Sequence, residues 1–114
     1  MRIPLSGYND AVLTTTVVEI ISGEDFDGEG VVFWLRSLMI YNSHASIDAI
    51  VDLYDQDEGA VVAANQRGTI IAPYGTTTVV DFPAPGIAFR TNIGAVLGAG
   101  TVAAYECLAW GYKE

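Results

Sequence analysis

The chain has 114 residues, of which 51% are hydrophobic and 17% charged, with a formal charge of −9 from 14 acidic and 5 basic residues. That is one domain with ample material for a core and too much apolar content for a disordered segment. It argues against nucleic acid and anionic membranes as partners, because affinity for both rests on Lys and Arg.

Residues 1–10 carry Pro4, Gly7 and Asn9-Asp10 and no period. They read as an N-terminal arm or a short edge strand, set apart from a domain at 11–114. Pro4 and Gly7 are expected to keep the segment out of the domain's own sheet. Nothing in its first residues has the long apolar stretch of a secretory signal, so synthesis in the cytoplasm and a soluble product are expected. Val12 to Ser22 is rich in β-branched residues and predicts a strand. Gly23 to Gly30 (GEDFDGEG) is an acidic turn.

Val31 to Asn42 (VVFWLRSLMIYN) is apolar on both faces. Strict alternation puts Val32, Trp34, Leu38 and Ile40 on one side and Val31, Phe33, Leu35, Met39 and Tyr41 on the other. A helix competes here, but the aromatic and β-branched load between Gly30 and Asn42-Ser43 favours a central strand. The apolar run is too short to span a bilayer.

Asn42-Ser43-His44 reads as a hairpin connection. In the next strand Ile47, Ala49, Val51 and Leu53 alternate with Asp48, Ile50 and Asp52, giving a core face and a wet face. Asp55 to Gly59 reads as a turn, Ala60 to Ala64 as a short strand, and Asn65 to Gly68 as another turn. Gly68 to Ala72 and Thr76 to Phe82 are β-type runs, and two prolines make Phe82 to Gly86 a rigid loop. Ile87 to Thr91 follows. Ile93 to Gly100 is either an irregular crossing or a weak strand, and Thr101 to Tyr112 closes the sheet. About eight short strands with this punctuation predict an all-β, single-domain β-sandwich, jelly-roll-like, with an immunoglobulin-like sandwich as the alternative.

Candidate chemistry is sparse. Placing Asp27 and Gly28 at the fifth and sixth positions of a calcium loop puts Gly23 and Trp34 at its ends, and neither supplies a carboxylate. An irregular site would have to draw on Asp55, Asp57 and Glu58, and a solvated turn explains the acidic run more simply. Ser43 and His44 are adjacent and lack a nucleophile elbow, so they form no hydrolytic signature. Asp48 and Asp52 share a strand face about 13 Å apart by strand rise, wider than either glycosidase spacing. Gly94, Gly98 and Gly100 form no phosphate loop, since no Lys follows. Cys107 is the lone cysteine and reads as a small buried hydrophobe. The expectation is a non-enzyme without metal or cofactor. Trp34, Trp110, Tyr54, Tyr74 and Tyr112 offer an aromatic platform for sugar, although such residues on strands more often serve a core or a subunit contact.

The second half also carries a resemblance. Gly28-Glu29-Gly30-Val31 before a long apolar strand, the ending Leu53-Tyr54-Asp55, the stretch Gly86 to Thr91 (GIAFRT) and a last strand finishing on Gly111-Tyr112 span most of residues 28–112. In these features the chain resembles the small all-β decoration or cement proteins of tailed-bacteriophage capsids. The resemblance implies a jelly-roll homotrimer on the outside of the shell, bound to the major capsid protein and stabilising it. The alternative is a carbohydrate-binding or tail-fibre attachment module.

Surplus apolar content makes Trp34, Met39 and Tyr41 the expected subunit contact. The expected capsid contact is Arg2, Ile3, Pro4 and Leu5 of the arm with Pro83 and Pro85 of the rigid loop. DNA fills the head interior and repels a chain of this charge, so an outer position is expected, with the acidic turns at Asp25 to Glu29 and Asp55 to Glu58 towards solvent.

Overall fold

The computed structural model describes residues 3–9, 18–21, 31–97 and 105–114. The Gly23 to Gly30 acidic turn and Arg2 lie outside them, as does the early part of the Val12 to Ser22 strand. The described strands are β1 (Ile3–Asn9), β2 (Val18–Ile21), β3 (Phe33–Asn42), β4 (Ala49–Tyr54), β5 (Gln66–Ala72), β6 (Thr76–Asp81), β7 (Ile87–Phe89), β8 (Ile93–Leu97) and β9 (Tyr105–Lys113). Among the described residues no helix is long and apolar enough to cross a membrane.

The first sheet runs β1-β9-β3-β6, with β7 beside β3, and the second runs β2-β8-β4-β5. The pairings are nested: β1 with β9, β2 with β8, β3 with β6, β4 with β5, all antiparallel. This is a long hairpin ribbon with its tip at β4 and β5, rolled until β9 also meets β3 and β8 meets β4. A ribbon rolled in this way is a jelly roll. The immunoglobulin alternative pairs its strands in a different order and is excluded.

The core lies between the sheets. Phe33, Leu35, Leu38 and Ile40 of β3, Cys107 and Ala109 of β9, and Phe89 of β7 face Ala49, Val51 and Leu53 of β4, with Ile70 and Ala72 of β5 and Ile93 and Ala95 of β8. The alternation expected for β4 therefore holds: Asp48 is exposed, and Ile50 and Asp52 are half-buried.

The faces expected for β3 do not hold. Its register against β9 slips between Leu35 and Ser37, so Arg36 is an extra residue, a β-bulge. The core phase switches there from odd to even positions. Phe33 and Leu35 point inward before the bulge, and Leu38 and Ile40 after it. Trp34, Met39 and Tyr41 consequently share the outer face, where strict alternation had divided them.

Residues 3–9 are not a free arm. β1 is an edge strand paired with β9 along its whole length. Pro4 is tolerated there because an edge strand can spare a donor. Gly7 has a different purpose from the one expected: a Cβ at this position would meet the backbone carbonyl of Ile20. Its absence lets β1 of one sheet close against β2 of the other.

Ala60 to Ala64 is not a strand. Val61 and Val62 are exposed, and a 3-10 turn at Ala63–Asn65 leads directly into β5. The Gln56 side chain substitutes for a strand neighbour, donating from Nε2 to the Ala60 carbonyl at 2.9 Å and accepting the Val62 N–H at 2.9 Å. The turn expected at Asn65 to Gly68 is likewise strand from Gln66 onward. Ile93 to Leu97 is a central strand, and its Gly94 and Ala95 are buried.

Candidate functional site

The residues with the most reactive side chains hold the fold's corners. Asn42-Ser43-His44 is not a hairpin, because β3 and β4 belong to different sheets. At this crossing the buried Asn42 donates from Nδ2 to the carbonyls of Ile47 and Ala72, each at 3.0 Å. Its Oδ1 accepts the His44 N–H at 3.0 Å. His44 Nδ1 in turn accepts the N–H groups of Ser46 and Ile47, each at 3.0 Å. Both backbone donors converge on this one ring nitrogen, so the imidazole holds the crossing in place.

Asp55 is the strongest correction to the expected solvated turn. It is buried, and its carboxylate accepts the N–H groups of three consecutive residues. Arg90 N lies 3.1 Å from both oxygens, Thr91 N lies 2.7 Å from Oδ1, and Asn92 N lies 3.3 Å from Oδ1. Arg67 Nη2 stands 3.5 Å from Oδ2. The loop between β7 and β8 is thereby tied to the end of β4. Only Asp57 and Glu58 of this turn are exposed, and Asp57 accepts a bond from Asn92 Nδ2 at 3.0 Å. Among the described residues no three His, Cys, Asp or Glu side chains gather as a metal site would require.

Asp52 of β4 and Asp48 just before it are similarly engaged. Asp52 Oδ1 accepts the Thr69 hydroxyl at 2.6 Å, and Asp48 Oδ1 accepts the Tyr74 N–H at 3.0 Å, pinning the turn between β5 and β6.

Cys107 is buried in the core, and that burial pushes its thiol up to about 12. The thiol of the folded protein is expected to resist alkylation until the chain unfolds. Because the folded value is raised, the unfolded chain loses its proton first as pH climbs. The stability that Cys107 contributes is therefore fully present below about pH 8.5 and is lost as pH rises towards 12, by on the order of 1 kcal/mol per pH unit. Thermal melts between pH 8 and 10.5 should show wild type losing more stability than Cys107→Ala. Parallel losses would refute the assignment.

The aromatic residues do not form one platform. Tyr54 and Tyr112 are buried, Trp34 is half-buried, and Tyr74 is exposed at the β5–β6 turn, as expected of a loop tip. Tyr112 stands opposite both Pro4 and Trp34 in register, and its hydroxyl donates to the Pro85 carbonyl at 3.1 Å. This brings together part of the expected capsid-contact set. Pro4 and the Pro83 to Gly86 loop are both linked to Tyr112, the first by register and the second by the hydrogen bond. Ile3, Pro4, Pro83 and Pro85 are exposed. Arg2 and the Leu5 side chain lie outside the described residues. The loop is held from beneath by Arg36, whose carbonyl accepts the Phe82 N–H at 2.8 Å and whose Nε donates to the Phe82 carbonyl at 3.2 Å.

Sequence reasoning missed the loop-holding roles of Asp55 and Gln56, and it grouped Trp110 with aromatic residues that the fold keeps apart. Asp55 looked like any acid in a polar turn, since the backbone donors that its carboxylate accepts lie 35 or more positions away. Trp110 carried a signal: in β9 it alternates with Cys107, Ala109 and Gly111, which are small enough for a crowded core. A comparison with protein-family models finds no match, and a comparison with curated protein sequences finds none.

Proposed function

We propose that this chain is a structural protein of a virus particle, a decoration or cement protein that binds the outer surface of a tailed-phage head and strengthens it. The observation that carries the reading is the end of the first sheet, where the buried Tyr112 stands opposite the exposed Pro4 and its hydroxyl holds the Pro85 carbonyl of the exposed Pro83 to Pro85 segment. Two prolines in a loop tied down by Tyr112 and Arg36 lose little entropy on docking. Whatever binds only the assembled shell raises the free energy of its disassembly. The jelly roll also serves capsid and lectin domains, a likeness of architecture rather than of site. The Asn42, His44, Asp48 and Asp55 side chains are engaged in holding loops, which favours a scaffold over a catalyst.

Mass spectrometry and imaging of purified virions test the reading, with the chain expected on the outer shell. Deleting residues 2–8 is a poor probe, because it removes β1 and bares β9. Ile3→Asp and Pro85→Ser instead alter exposed side chains. Particles carrying either variant should show lower occupancy and a lower disruption temperature. If particles lacking the whole protein prove equally heat-resistant, cementing is wrong.

A second reading, a glycan-binding attachment module, is favoured by the exposure of Trp110 and Tyr74. Binding on a glycan array that is lost in Trp110→Ala would establish it in place of the first.

A further inference from the structure

Each sheet ends on two edge strands, β1 and β6 in the first and β2 and β5 in the second. An open edge presents unpaired N–H and C=O groups, and proteins blunt it with proline, charge, a bulge or brevity. Three of these edges are blunted. β1 carries Pro4, β2 has four residues and a register shift after Glu19, and β5 carries Arg67 beside the register shift at Tyr54. β6 (TTTVVD) has none of these devices before its final Asp81. It is β-branched from Thr76 to Val80, and its register against β3 runs unbroken from Thr76 to Asp81.

The direction of the open groups follows from Phe82, the next residue. Its N–H donates to the Arg36 carbonyl at 2.8 Å and its carbonyl accepts Arg36 Nε at 3.2 Å, so both backbone groups face β3. Alternation along an extended strand turns the N–H and C=O of Thr78 and Val80 the same way. Those of Thr77, Val79 and Asp81 point to the open side. All three residues are exposed, and among the described strands β6 pairs with β3 alone.

We propose that β6 pairs antiparallel with β6 of a second copy, about a two-fold axis at Val79, to form one sheet across a dimer. Val79 of each copy exchanges both backbone bonds with Val79 of the other, and Thr77 of each does so with Asp81 of the other. No other register engages all three open residues. A slip of one position meets groups already bonded to β3. A slip of two sets Asp81 against Gly75, which lies in the turn at φ +67. The opposite slip sets Thr77 against Pro83, which has no N–H to give. Charge fits a second copy in the same alignment. Positions 76–80 are uncharged, so two chains of charge −9 meet here without opposed carboxylates. Asp81 falls opposite the Thr77 hydroxyl of the second copy, with the two Asp81 residues about 13 Å apart along the strands. The two-fold contact uses up the open edge and closes at two copies.

The pairing does not depend on the virion reading and differs from the trimer implied by resemblance. Sedimentation of the purified chain from micromolar concentration to about 1 mM tests it, since a contact of one strand pair is small. The expected mass at the upper end is twice the 12.1 kDa of one chain. Amide hydrogen exchange at Thr77, Val79 and Asp81 should slow as the dimer forms. Val79→Pro removes a donor that β3 does not use, so it should remain folded by circular dichroism and weaken dimerisation about tenfold or more. Val79→Lys, which sets two ammonium groups face to face on the axis, should do the same and decides the matter if the proline variant fails to fold. Met39→Lys, one strand in from the edge and opposite Val79, should leave the dimer intact. A wild type that stays monomeric to about 1 mM, a trimeric mass, or unchanged exchange at the three amides would overturn the proposal. So would a dimer that survives Val79→Lys or is lost equally in Met39→Lys.

Discussion

Asp55→Ala is expected to destabilise the protein by about 3–5 kcal/mol, with the melting temperature lowered by roughly 12–20 °C. The substitution leaves the N–H groups of Arg90, Thr91 and Asn92 without their acceptor in a place where Asn92 is buried. It also frees the loop that carries the chain from β7 at the first sheet to β8 at the centre of the second. Asp55→Asn should cost roughly half as much, because one amide oxygen can keep the 2.7 Å bond from Thr91 while its NH₂ group faces another donor. Arg67→Ala should cost less than about 1 kcal/mol, since that ion pair is long and partly open to water. Urea denaturation of the three variants reads these differences. Asp55→Ala within about 1 kcal/mol of wild type, or Arg67→Ala as severe as Asp55→Ala, would show that the backbone donors are not what the carboxylate stabilises.

Gly86→Ala is expected to cost about 3–4 kcal/mol, the sum of two separate penalties. Gly86 has φ +106, a conformation that side chains rarely adopt. A Cβ there would also meet the Leu35 carbonyl oxygen, with Arg36 Cδ 3.0 Å away. Neither neighbour yields easily, because Arg36 is the bulged residue and anchors Phe82 through both its carbonyl and its guanidinium. Gly75 separates the two contributions. It has φ +67 but open space around its Cβ position. Gly75→Ala should therefore cost only about 1 kcal/mol. Equal melting points for the two variants would mean that the close approach at Gly86 contributes nothing. On the proposed function, Gly86→Ala should also reduce occupancy on particles, because it displaces the loop bearing Pro83 and Pro85.

Sequence alone determined the class of fold and most of its strands. Period-two alternation in Ala49 to Leu53, β-branched and aromatic runs, and Gly or Pro at the breaks are local signals, and they read the same way before and after folding. Thr76–Asp81, Ile87–Phe89 and the buried Cys107 were legible for that reason. The tertiary structure decided whatever depends on residues far apart in the chain. The bulge at Arg36 exists only against β9, yet it gathers Trp34, Met39 and Tyr41 on one outer face. Residues 3–9 became an edge strand because β9, a hundred positions later, offers them backbone partners that outweigh the signals of Pro4 and Gly7. Asp55 went inward because three N–H groups from another loop replace the water it gives up. Composition shows how many polar groups a chain has, but only the packed structure shows which of them find each other.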